Sequence, residues 1–175
     1  MSHIKELYLT ARKNVNFCAS YFGSDRDPVD MPDSFNIEGV LPDSNEVVVS
    51  VTGYLFEREY ILDAADACGA TLEEIAEKLY NRNLALNTQY VNKTGQKTCF
   101  IDELYVKPEL RRQGLATIVM ANLRDMLHTI EPSLCGVYAY VDEDCDDGLF
   151  KFFERYGFCR IDNSRVIWIP IPDET

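Results

Sequence analysis

The stretch Phe100–Leu127, FIDELYVKPELRRQGLATIVMANLRDML, constrains the chain most. Cys99–Val106 reads as a strand. Lys107-Pro108 then opens a turn that carries Arg111, Arg112, Gln113 and Gly114. Leu115, Ile118, Val119, Leu123, Met126 and Leu127 follow at mostly three- and four-residue spacings, the stripe of an amphipathic helix. A strand feeding a Gly-containing loop that opens a helix is a phosphate-binding device. The first helical turn has unpaired N–H groups and the positive end of the macrodipole. Gly114 has no side chain, so a phosphate can approach the backbone closely. The Gly-Lys-Ser/Thr ending of a nucleoside-triphosphate loop is absent, and so are the three glycines of a dinucleotide fingerprint.

The run LYVKPELRRQGLA contains Arg111-x-x-Gly114-x-Ala116 and the lead-in Leu-x-Val-x-Pro. It resembles motif A of the GNAT superfamily of acetyl-coenzyme A-dependent N-acetyltransferases, whose pattern is Arg/Gln-x-x-Gly-x-Gly/Ala. About 40 residues further on, Phe152–Phe158, FFERYGF, resembles the family's FYEKLGF signature, where a helix hands over to the next strand. The resemblance covers about 99–172 and leaves 1–98 as a divergent N-terminal half of one domain. It implies an α/β fold of the α+β kind, with a mixed, largely antiparallel sheet and helices on both faces. It also implies a family order, with two helices between the first two strands and then the second to fourth strands as antiparallel neighbours.

Taken in order, Ser2–Phe22 places Ile4, Leu7, Tyr8, Ala11, Val15, Cys18 and Tyr21 at helical spacing and is expected to be a helix. Gly23–Pro32 is a polar loop, Ser34–Val40 a short strand and Glu46–Val51 a strand. Thr52-Gly53 permits a tight hairpin turn, and Tyr54–Leu62 is ambiguous between strand and helix. Thr71-Leu72-Glu73-Glu74 reads as a capping box opening a helix over Thr71–Leu86, where the family order has a hairpin. ILDAADACGATLEEIAEKL also looks like a helix-turn-helix. Asn92–Gln96 is a turn, Cys135–Val141 a strand and Asp142–Gly148 a solvated acidic loop. Leu149–Tyr156 is then a helix, with Phe158–Ile161 and Arg165–Ile171 as strands.

The formal charge of -12 argues against a nucleic-acid partner, which would need a basic surface, and favours a cationic amine. There is no apolar run of about 18 residues to span a membrane, and Met-Ser-His-Ile-Lys-Glu has no apolar leader. The expectation is a cytoplasmic chain whose six scattered cysteines are reduced and mostly buried. No metal is expected. Asp142, Asp144 and Asp146 mimic the start of a calcium loop, but Gly148 comes late and Phe153 stands where its terminal Glu belongs. A homodimer is left open.

The resemblance implies site roles. Acetyl-coenzyme A would lie on the loop and first helical turn, at Arg111, Arg112, Gln113, Gly114, Leu115, Ala116 and Thr117. In the family a bulge in the motif A strand frees a backbone N–H for the thioester carbonyl, by position within Leu104, Tyr105 and Val106. Asp146 and Phe153 fall at coenzyme-contacting positions. Glu103 or Asp102 would take the amine proton, and as neighbours on a regular strand only one should face the cleft, unless the bulge shifts the alternation. Phe153 replaces the family's Tyr, which leaves the thiolate's proton donor open among Tyr156, Tyr138 and Tyr140.

Overall fold

The computed structural model describes residues 6–10 (as backbone), 15–23, 32–79, 97–142, 145 and 147–170. Its N-terminal segment corrects the helix expected over Ser2–Phe22. Two strands stand there, β1 (Glu6–Thr10) and β2 (Asn16–Phe22), paired antiparallel. Val15, Phe17 and Ala19 are buried while Asn16 is exposed, an alternation of period two that also fits residues spaced four apart. Pairing of β2 with β3 (Asp33–Val40) selects the extended form.

β4 (Val47–Glu57) runs straight through Thr52-Gly53, so no hairpin turn forms there. A 3-10 turn at Arg58–Tyr60 ends the strand and hands over to α1 (Ile61–Cys68) and α2 (Ala70–Leu79). These helices meet at Gly69, whose φ of 127° and ψ of 165° suit glycine alone. The Gly69 carbonyl accepts from the N–H groups of Leu72 and Glu73, so Thr71 lies inside α2 and not at its cap. Residues 80–86 of the expected helix and the Asn92–Gln96 turn lie outside the described residues. Both helices therefore separate β4 from β5 (Lys97–Val106), and the family order implied above does not hold in the N-terminal half.

After β5 come α3 (Leu115–Ile130), β6 (Leu134–Tyr140), α4 (Asp147–Glu154), β7 (Cys159–Arg160) and β8 (Val166–Pro170). The sheet order is β1-β2-β3-β4-β5-β6-β8-β7, and β5–β6 is parallel in an otherwise antiparallel sheet. Helices cover both faces. Leu115, Val119, Leu123, Met126, Leu127 and Ile130 of α3 pack with Phe150 and Phe153 of α4 on one face. Ile61, Ala65, Leu72, Ile75 and Leu79 of α1 and α2 pack on the other, against an aromatic row across four strands. In that row Phe56 and Phe100 lie 4.7 Å apart, Phe100 and Tyr138 5.6 Å, and Tyr138 and Trp168 6.3 Å.

The cysteines are less buried than expected. Cys99 and Cys135 are buried, Cys18 and Cys145 half-buried, and Cys68 and Cys159 exposed; all six are free. Burial holds the Cys99 thiol well above its usual range and pushes Cys135 to about 11.

At the start of β5 the Lys97 ammonium lies 2.6 Å from Asp33, 3.3 Å from Glu57 and 3.9 Å from Glu131. Tyr21 donates to Asp33 at 2.5 Å. Burial alone would lower Lys97, but the Asp33 hydrogen bond and charge outweigh it and raise it. Burial first, then the Asp33 bond, pushes Tyr21 to about 12. Both groups have raised values in the folded state. Their stabilisation is therefore complete below the unfolded values, about 10 for both, and is lost as pH rises through the folded ones. Lys97→Met should cost about 2 kcal/mol at pH 7, below the range for a fully buried pair because Glu57 is 34% exposed. The deficit should shrink by about pH 11.5. A urea-midpoint difference that is the same at both pH values would refute this.

Candidate active site

The parallel pairing of β5 with β6 stops at Ile101↔Ala139, yet β5 continues to Val106 while β6 ends at Tyr140. The distal part of β5 thus has β4 on one edge and no strand on the other. On the β4 side the register jumps from Gly53↔Ile101 to Thr52↔Glu103, so Asp102 has no partner and is the extra residue of a bulge.

The bulge inverts the strand's alternation. Before it, Cys99 and Ile101 face α3 and Phe100 faces α1 and α2. After it, Leu104 packs toward α3 with Val106, which turns Glu103 and Tyr105 toward the α1–α2 face. Asp102 lies on that face too. Burial, and after it the Asp102 charge, raise both the Tyr54 hydroxyl and the Cys68 thiol. The bulge thus shifts the alternation, the exception allowed for above: Asp102 and Glu103 are both exposed on one face, Asp102 beside Tyr54.

The same register orients the backbone. The Lys107 N–H donates to the Val48 carbonyl at 2.9 Å, so this is a hydrogen-bonded pair of the antiparallel ladder. Alternation then aims the amides of Tyr105 and Glu103 at β4, and those of Leu104 and Val106 at the open edge. Of the three donor positions expected, Tyr105 points the wrong way. The Val106 carbonyl on the open edge accepts from Arg111 Nε at 3.1 Å, which ties the following loop back to the strand.

That loop contains a 3-10 turn at Pro108–Leu110 and two residues in the left-handed region, Arg112 (φ 61°) and Gly114 (φ 85°). The first intrahelical bond of α3 runs from the Ile118 N–H to the Gly114 carbonyl at 3.1 Å. The N–H groups of Leu115, Ala116 and Thr117 precede it and are aimed outward. A Cβ built on Gly114 would meet nothing within 4 Å, so the space before these donors is open. They border a cavity of about 360 Å³, with Arg111 and Arg112 at its edge, Leu104 and Val106 on one wall and Leu149 and Phe152 of α4 on the other.

Other expected site residues lie elsewhere. Phe153 is 5% exposed and packs edge-on to Phe158 at 5.4 Å, within the core. Its neighbour Phe152 lines the cavity, which motif alignment missed although Leu149 and Phe152 stand three apart on α4. Tyr156 packs against Phe152 at 5.2 Å, outside this cavity. Gln113 is exposed and bonds back to the Glu109 carbonyl at 3.4 Å. Tyr138 is fully buried in the aromatic row, where desolvation holds its hydroxyl far above the usual range, and Tyr140 is half-buried. Asp146 lies outside the described residues. Among the described residues no cluster of three or more His, Cys, Asp or Glu could hold a metal, and no helix is long and apolar enough to cross a membrane.

Beside the bulge, β5 backbone comes very close to Gly53. A Cβ there would lie 2.0 Å from the Phe100 carbonyl oxygen and 2.7 Å from the Phe35 ring. Gly53→Ala must move backbone, and should destabilise the chain by about 3 kcal/mol. A denaturation midpoint equal to that of the parent would show that β5 does not need this close approach.

In sequence, residues 63–158 match the model of the acetyltransferase (GNAT) family. No curated protein matches. Among solved structures the chain is similar to the ribosomal-protein-S18-alanine N-acetyltransferase from Escherichia coli, at 11% identity over 81% of this chain and 72% of that one (TM-score 0.47). It is also similar to Arabidopsis thaliana NAA60 in complex with a bisubstrate analogue, at 17% identity over 78% and 72% (TM-score 0.44). A third is AtaTR bound with AcCoA, at 12% identity over 79% and 67% (TM-score 0.44). With more than half of its 175 residues matched, including the bulged strand, the loop and the helix that border the cavity, the chain belongs to the GNAT acetyltransferase family.

Proposed function

We propose that the chain transfers the acetyl group of acetyl-coenzyme A to a cationic primary amine, directly and without an acyl-enzyme. The observation that carries this is the open edge of β5. It has outward amides at Leu104 and Val106, the cavity on its α3 face and two carboxylates on its α1–α2 face. The residues present suit the coenzyme. The amides of Leu115, Ala116 and Thr117 and the guanidinium groups of Arg111 and Arg112 would hold its phosphates, and Leu104, Val106 and Phe152 would line its apolar arm. The coenzyme supplies an activated thioester. A Leu104 or Val106 N–H would stabilise the oxyanion that forms from its carbonyl.

The amine would approach from the other face. A lysine-like amine has a pKa of about 10.4 and arrives protonated, so a carboxylate must take its proton directly or through a water. With Asp102 and Glu103 on one face, one can accept the proton while the other attracts a positive charge. Phe153 has no hydroxyl and is packed in the core, so thiolate departs without help from that position. The same observation favours a second reading, a coenzyme A-binding module without turnover.

An amine panel separates the two: coenzyme A release with a polyamine or lysine peptide supports transfer, and binding without release supports the module. For the transferase, KM for a cationic amine should rise with salt, since screening cuts attraction beyond roughly 8–10 Å. A KM indifferent to salt would point to a neutral acceptor. Six free thiols accord with a reducing compartment, and we place the chain in the cytoplasm.

A further inference from the structure

The two helices on the α3–α4 face differ in length. α3 has 16 residues and α4 has 8. At 1.5 Å per residue α4 falls about 12 Å short. Beyond its end Val137 of β6 and its register partner Ile169 of β8, both buried, form the bottom of a depression beside α3. The result is a second cavity of about 400 Å³, a size typical of small-ligand sites. Its floor and inner wall are apolar, including Met120, Leu123 and Phe158. Its rim carries Arg124 of α3 and, just past α4, Arg155 and Tyr156, with Asp125 as the one acidic group.

Both guanidinium groups are exposed, and among the described residues neither has an ion-pair partner. In a chain of net charge -12, two arginines without ion-pair partners on the rim of one cavity form a local field of the opposite sign. Guanidinium forks match carboxylate geometry, and the well beneath suits hydrocarbon. The contact of Tyr156 with Phe152 stands between this cavity and the first.

We propose that this second cavity binds a small organic anion, a single carboxylate on an apolar body, independently of the coenzyme. Calorimetry with butanoate, hexanoate and octanoate tests it on the intact chain. One equivalent of octanoate should bind, with affinity rising about fourfold per methylene along the series. Saturating coenzyme A should not displace it. Octanamide, which keeps the chain and lacks the charge, should bind at least tenfold more weakly, a comparison that needs no variant. Arg124→Gln with Arg155→Gln should lower octanoate affinity at least tenfold and leave coenzyme A affinity unchanged. The proposal is overturned if octanoate does not bind, if octanamide binds equally well, if coenzyme A displaces octanoate, or if the double variant keeps the parent affinity.

Discussion

Gly114→Glu should fold and lose coenzyme A affinity by at least two orders of magnitude. Gly114 sits at φ 85° directly before α3, and an added Cβ meets no protein atom within 4 Å. The only cost in the free chain is the left-handed conformation, about 1–2 kcal/mol for a residue with a Cβ. In the complex the new carboxylate would stand where the phosphates approach the amides of Leu115–Thr117. Like charges 4 Å apart repel by about 4 kcal/mol at an effective dielectric near 20, nearly three powers of ten in affinity. Gly114→Ala is the control, because it carries the strain without the charge. The glutamate variant should melt close to the alanine variant and bind far more weakly. If calorimetry gives both variants the parent affinity, the phosphates do not lie at this loop.

The strand, loop and helix of the cavity are legible in the sequence because their signals are local. The Leu115–Leu127 stripe marks a helix, and Gly114 marks the turn where a Cβ would be strained. The N-terminal half is not legible in this way. Val15, Phe17 and Ala19 alternate, but Ala11, Val15 and Cys18 also fit a helix, and only pairing with β3 decides between them. A mid-strand glycine also reads as a turn. Gly53 is instead the place where the Phe100 carbonyl comes too close for a Cβ, a contact between residues far apart in the chain. The bulge next to it turns Asp102 and Glu103 to one face, whereas a regular strand would part them. At the end of α4, FFERYGF gives two adjacent phenylalanines but not which one faces the cavity. The α3–α4 packing sends Phe153 inward and Phe152 to the cavity.

That shared face makes the carboxylate pair the most sensitive test of the chemistry. We expect one of Asp102→Asn and Glu103→Gln to lower turnover by about 10²–10⁴, the usual contribution of a general base, with coenzyme A affinity unchanged. Glu103 pairs with Thr52 and projects from a regular position, while Asp102 is the bulged residue and leans toward Tyr54 and Cys68. We therefore assign the proton to Glu103 and the attraction of the cation to Asp102. Glu103→Gln should lower kcat and abolish the acid limb of its pH profile. Asp102→Asn should instead raise KM for a cationic amine and flatten its salt dependence, leaving kcat within a few-fold of the parent. Opposite kinetics would exchange the two roles. Parent-like kcat, KM and pH profile in both variants would remove the base from this strand. Tyr156→Phe gives the remaining arm: its ring packs on Phe152 outside the first cavity, so turnover should hardly change. A collapse there would place the thiolate's proton donor at Tyr156 and require the end of α4 to close over the coenzyme.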